Sequence, residues 1–153
     1  MSELTHFLRN YQQEEEGKKV ETDKLKEEWV KAVGEFQNRI IGWLTEPISL
    51  SLVTFTQPKI EITEDRFGKY EVEELELVFP GNKRVIFEPK ARFIVGGQGR
   101  VDAHNLRETW KLIRKSAEEG WFLVAPESGQ GTGFKLVEFD EQRFESLLKA
   151  LLK

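Results

Sequence analysis

Apolar residues recur along this chain with two different periods. Leu25, Trp29, Val33, Phe36, Ile40 and Leu44 step by three or four. That is one apolar stripe of about six turns, roughly 33 Å at 1.5 Å per residue. Thr22 or Asp23 can cap its start, and Pro47 is expected to end it, so a helix is predicted over 23–45. Trp29 and Trp43 lie on or beside the stripe as core residues. A second stripe, Leu4, Phe7, Leu8 and Tyr11, predicts a short helix over 2–13, marginal alone at that length. It must dock on the domain, dock on a partner, or fray. Glu14-Glu15-Glu16-Gly17-Lys18-Lys19 between the two reads as a solvated charged linker. Residues 1–19 are thus a short helix and linker, and 20–153 a single domain.

After Pro47 the period falls to two, the spacing of half-buried strands. Ile48–Thr56 and Lys59–Thr63 alternate, and Asp65 to Gly68 reads as a turn. Tyr70 and Val72 share a face, as do Leu75, Leu77 and Phe79. The step from 72 to 75 keeps one face only through a bulge at Glu73-Glu74. Pro80 to Lys83 is a hairpin turn. Arg84–Glu88 and Ala91–Val95 are two strands separated at Pro89, and Arg100–His104 is another. Residues 105–119 have two readings. Asn105 with Glu108 resembles a helix capping box, whereas Thr109–Lys115, a turn at 117–120 and Trp121–Ala125 form a hairpin. Glu127–Gly133 is a glycine-rich loop and Phe134–Phe139 a last strand. Asp140 caps a final helix with Phe144, Leu147, Leu148, Leu151 and Leu152 on one face. The expected fold is α+β: a long N-terminal helix packed on a curved antiparallel sheet of about six to eight strands, with a C-terminal helix.

The chain has 153 residues, one ordinary domain, and 11 Phe with 4 Trp exclude wholesale disorder. With no Cys, disulfide scaffolds, thiolate metal sites and cysteine nucleophiles are excluded. The N-terminus lacks a signal-peptide pattern and no stretch approaches 18 apolar residues, so a soluble, cytoplasmic protein without membrane contact is expected. Net charge is −4 but uneven: −7 over residues 1–82, +6 over 83–115 and −3 over 116–153. The middle segment can therefore present a local positive patch.

Candidate chemistry concentrates in Gly96-Gly97-Gln98-Gly99-Arg100-Val101-Asp102. Gly-Gly-Gln resembles the tripeptide of peptidyl-tRNA release factors over three residues only, with no strongly basic tail beside it. The favoured reading is a glycine-bulged hairpin between Phe93-Ile94-Val95 and Val101, with Arg100 paired to Asp102 or a neighbour. Asp102 and His104 lie two apart on a strand and so share a face. As half of a metal site they lack further ligands, and a hydrogen-bonded surface His is expected. Ser128 has Pro126 where a nucleophile elbow needs glycine. Glu71, Glu73, Glu74 and Glu76 read as a solvated strand face. No cofactor and no metal are expected.

Three functions follow. The first is a non-catalytic protein-interaction domain (accessory subunit, inhibitor or immunity-like partner) contacting another protein through Gly97, Gln98, Arg100, Asp102 and His104. The second is a nucleic-acid-binding module using Lys83, Arg84, Lys90, Arg92, Arg107, Lys111 and Arg114, with Phe93 or Trp110 stacking on bases. The third is a small-ligand binder or enzyme with a pocket between helix and sheet.

Overall fold

The computed structural model describes residues 2–126 and 134–153. Its first element, α1, runs unbroken over Glu3–Trp43, 41 residues, with the Ser2 hydroxyl accepting from the Thr5 N–H as a cap. Residues 14–19 are therefore helix, where a charged linker was expected. Charge does not break a helix: Glu, Lys and Gln are good helix formers, and the lone Gly17 costs about 1 kcal/mol relative to Ala. Pro47 does not terminate α1 either. The helix ends at Trp43, and Pro47 lies in the first turn of α2 (Thr45–Ser49), where a missing N–H breaks no helical bond. Ile48–Thr56, expected as one strand, thus supplies the end of α2, a turn and only the short β1 (Thr54–Thr56).

β2 (Lys59–Glu64) and β3 (Gly68–Glu73) form a separate antiparallel hairpin. β4 (Leu75–Phe79) belongs to the main sheet. No bulge is needed at Glu73-Glu74, because the phase change there marks a change of sheet. The Glu74 N–H, at the crossing, donates to the Pro58 carbonyl at 3.0 Å. A tight turn at Pro80–Asn82 leads into β5 (Lys83–Ala91). β5 runs through Pro89 and stops at Ala91, so Arg92–Val95, expected as part of a second strand, is not strand apart from an isolated bridge at Ile94. Pro89 lies past the end of the β4 pairing and beside a register irregularity, the kind of place where a strand tolerates proline.

β6 (Arg100–His104), β7 (Thr109–Ser116), β8 (Gly120–Pro126) and β9 (Phe134–Glu138) complete a seven-stranded antiparallel sheet in the order β1-β4-β5-β6-β7-β8-β9. Of the two readings of 105–119, the hairpin is found. The Asn105 side chain does accept from the N–H groups of Arg107 and Glu108, at 2.9 and 2.8 Å, as a helix cap would. Here it closes the β6–β7 turn, and its amide donates to the Leu151 carbonyl at the end of α3 (Glu141–Leu151).

The core lies on one face of the sheet. Paired rows such as Leu75, Phe87 and Ala103, or Val101, Leu112 and Leu123, are buried under α1 and α3. Phe36 of α1 has its ring 4.4 Å from Trp121, 5.8 Å from Phe139 and 6.1 Å from Phe87. The buried Gln37 ties α1 to the hairpin by donating to the Glu73 carbonyl at 2.7 Å. Among the described residues no helix is long and apolar enough to cross a membrane.

Candidate functional site

The residues singled out around Gly97 sit at the centre of the sheet, and most are engaged internally. Gly97 and Gly99 run beside β7: the Gln98 N–H donates to the Arg114 carbonyl, and the Arg114 N–H donates to the Gly99 carbonyl at 2.9 Å. A Cβ on Gly97 would come within 2.8 Å of the Arg114 carbonyl oxygen, and one on Gly99 would overlap the Trp29 ring. Gly99 also has φ +148°, in the range that favours glycine. These two glycines are therefore required for close backbone approach. The turn differs from the expected hairpin: Ile94 bridges directly to Gly97, and the returning chain pairs with both β5 and β7.

Arg100, Asp102 and His104 project from the sheet face opposite the core. Arg100 grips Asp102 bidentately, Nε to Oδ1 at 2.7 Å and an Nη to Oδ2 at 2.8 Å, as the sequence pairing suggested. That bond is the leading reason the guanidinium pKa is raised. His104 meets Glu88, not Asp102. Its Nδ1 accepts from the Leu106 N–H at 3.3 Å, so Nε2 carries the proton and donates to Glu88 Oε1 at 3.1 Å. Burial would raise the Glu88 carboxyl, but hydrogen bonds from Lys90 and His104 outweigh it and hold it below the usual carboxylate range. Glu74 nearby is raised, first by burial and then by Glu88 and Glu76. Arg100 and Asp102 thus hold each other, and Glu88 holds both His104 and Lys90. Among the described residues no three of His, Asp and Glu converge as a metal site would require.

The basic residues do not gather on one face. Arg114 is buried on the core side, and one of its Nη groups donates to both Glu28 oxygens at 2.7 Å. Burial lowers the Arg92 pKa, and its Nε is a buried nitrogen without a hydrogen-bond partner among the described residues. Its guanidinium carbon lies 5.3 Å from the Phe93 centroid, and that of Arg66 lies 5.1 Å from the same ring. Lys83 donates to the Leu152 carbonyl at 2.9 Å, Arg84 pairs with Glu76 and Lys90 with Glu88. Arg107 and Lys111 are exposed and join no ion pair among the described residues. Glu127–Gly133, with Ser128, lies outside the described residues.

Two features escaped the sequence reading. One is a buried relay: Trp29 Nε1 donates to the Tyr70 hydroxyl at 3.1 Å, Tyr70 donates to Glu64, and Glu64 accepts from the N–H groups of Arg92 and Phe93 at 2.9 and 3.0 Å. Burial, then Glu64, push the Tyr70 phenol far above its usual value, which keeps its proton in place to donate. No local signal marks this network, because its members are scattered along the chain. The other is the N-terminal half of α1. Leu4, Phe7, Leu8 and Tyr11 are 52–64% exposed, and only Phe7 and Tyr11 stack on each other, 6.4 Å apart. The stripe was legible; that the domain leaves it uncovered was not.

Several grooves flank the helix. One of about 370 Å³ lies between α1 and the β7–β8 turn, bordered by Glu28, Ala32, Glu35 and Arg39. Another, of about 400 Å³ and largely apolar, lies where Trp43, Pro47, Phe79 and Leu148 meet. Compared with known proteins, the chain matches no family model, no curated protein and no solved structure.

Proposed function

We propose that this chain is a non-catalytic protein-interaction domain whose contact element is the N-terminal half of α1. The observation that carries this is the stripe Leu4, Phe7, Leu8 and Tyr11, at i, i+3, i+4, i+7, standing more than half exposed on a preformed helix. That spacing is how an amphipathic helix anchors in a groove or on another helix. A preformed helix also loses less conformational entropy on binding than a disordered one. The polar residues around Arg100 are saturated by Asp102, Glu88 and Lys90, so they serve the sheet face and not a reaction.

The test is a photoreactive amino acid in place of Phe7 in the full chain, expressed in its native host. A discrete adduct is expected, to another protein or to a second copy, with none from the same probe at exposed Glu71. Absence of any adduct at Phe7 overturns the proposal.

A further inference from the structure

We infer that Arg92 and Arg66, gathered on the ring of Phe93, form a binding site for a phosphate monoester. The site shares no residue with the stripe on α1, so the two readings stand or fall separately.

Arg92, Arg100 and Arg114 are the arginines of this chain that are not exposed. Arg100 has Asp102 and Arg114 has Glu28. The Arg92 side chain has no carboxylate and no hydrogen bond among the described residues. Its Nε is buried, whereas its Nη groups keep contact with solvent. A half-buried guanidinium gives up hydration, and an oxyanion that takes two of its donors is its strongest replacement.

Nearby carboxylates do not supply that oxyanion. One Glu64 oxygen accepts from the N–H groups of Arg92 and Phe93, and the other from the Tyr70 hydroxyl. Both Glu28 oxygens are held by Arg114. Asp65, exposed beside Arg66 in the β2–β3 turn, joins no ion pair among the described residues.

The β2–β3 turn adds a second guanidinium. The Arg66 and Arg92 guanidinium carbons lie 5.1 and 5.3 Å from the Phe93 centroid, so they are no farther apart than those two distances combined. Arg66 is exposed and likewise joins no ion pair among the described residues, which leaves it free to close on a ligand at Arg92. Burial is the first cause that lowers the Arg92 pKa; Glu28 and Glu64 act against it, while Arg114 and Arg66 add to it. An anion at this place relieves that repulsion. Two guanidiniums without a carboxylate suit a phosphate monoester, which carries about −1.5 to −2 at neutral pH, better than a singly charged carboxylate. The Phe93 ring already carries both guanidiniums and packs on Phe67 at 4.7 Å, so it is no platform for a base, and recognition rests on the phosphate.

Titration of the ¹⁵N-labelled full chain with inorganic phosphate, at constant ionic strength set by chloride, tests this. The Arg92 Nε–H and Phe93 amide signals should shift together and saturate, with a dissociation constant of about 1 mM or tighter. Arg92→Lys keeps the charge but loses the fork, and Arg66→Gln removes the second cation; each should weaken binding about tenfold or more, read at the Phe93 amide. Lys111→Gln, on the other face of the sheet, should leave it unchanged. Acetate should bind at least about tenfold more weakly than phosphate. Melting temperatures confirm that the variants are folded, and Arg66, being exposed, keeps the test open if Arg92→Lys is not. A phosphoserine peptide and ribose 5-phosphate then distinguish the source: whichever binds more tightly than inorganic phosphate tells whether the group arrives on a protein or on a small metabolite, and if neither does, free phosphate is the ligand. A shift that never saturates, acetate binding as tight as phosphate, or an affinity unchanged in Arg66→Gln overturns the inference.

Discussion

In the C-terminal half of α1, Trp29, Val33, Phe36 and Ile40 are buried to within 3% of complete, while in the N-terminal half Leu4, Phe7, Leu8 and Tyr11 are more than half exposed. Both halves carry apolar residues at three- and four-residue steps, and both are helix. The difference lies in what stands opposite. Residues 29–40 face β3, β8 and α3, with Trp121 and Phe139 against their rings. Residues 4–11 have left the sheet behind. Helical periodicity therefore records a face that wants covering, and not whether this chain supplies the cover.

The largest expected break in that comparison is Trp29→Ala. It empties a fully buried site and removes the donor to Tyr70, so urea unfolding should show a loss of about 3–5 kcal/mol. Gly99→Ala attacks the same site from the sheet side. It drives a methyl group into the Trp29 ring at a backbone angle that disfavours side chains, and about 2–3 kcal/mol should be lost by the same measurement. Glu28→Ala comes next, since it strips the buried Arg114 of its carboxylate. Glu28 is itself 42% exposed, so the cost should be about 1–3 kcal/mol, below that of breaking a fully buried pair.

A smaller effect separates two carboxylates on the outer sheet face. Glu88 has a folded pKa below its unfolded one, so its stabilisation is fully present above the usual Glu range and is lost as pH falls through the folded value. Glu74 is shifted upward, so it costs stability at neutral pH and the cost disappears on acidification. At pH 7, Glu88→Gln should therefore lower the melting temperature and Glu74→Gln should raise it. Both differences should shrink below the usual Glu range. If the two variants shift in the same direction, the opposed environments are wrong. The smallest effect belongs to the exposed half: Phe7→Ala, or deletion of residues 2–19, should move folding stability by no more than about 0.5 kcal/mol. A large loss there would mean the stripe closes on its own domain.

Much of the architecture was legible because it rests on local rules. The period of 3.6 marked the long helix and α3, Asp140 marked the cap that the Arg143 N–H confirms, and alternation marked most of the sheet. Errors, and the double reading of 105–119, fell where one local signal serves two structures. Asn105 caps a turn with the same side-chain bonds it would offer a helix. Pro47 fits the first turn of α2 as well as the end of α1. The three-residue step at Glu73-Glu74 reads as a bulge only if both strands are assumed to share a sheet.

Among the candidate site residues, the pairing of Arg100 with Asp102 was within reach of sequence because two residues on one strand face are neighbours in any fold. Which side chain His104 would meet was not, because Glu88 comes from the strand β5 set beside it. The same holds for Arg114, charged like Lys111 three residues earlier. Alternation along β7 turns Lys111 to the outer face and Arg114 to the core, where Glu28 of α1 waits 86 positions away. By itself the sequence determined most of the helices and strands and the apolar faces, since propensity and period act over a few residues. Only the tertiary structure decided which faces are covered, which charges are drawn inward, and that the stripe at Leu4 to Tyr11 is left open, because burial depends on surfaces that distant segments bring or fail to bring.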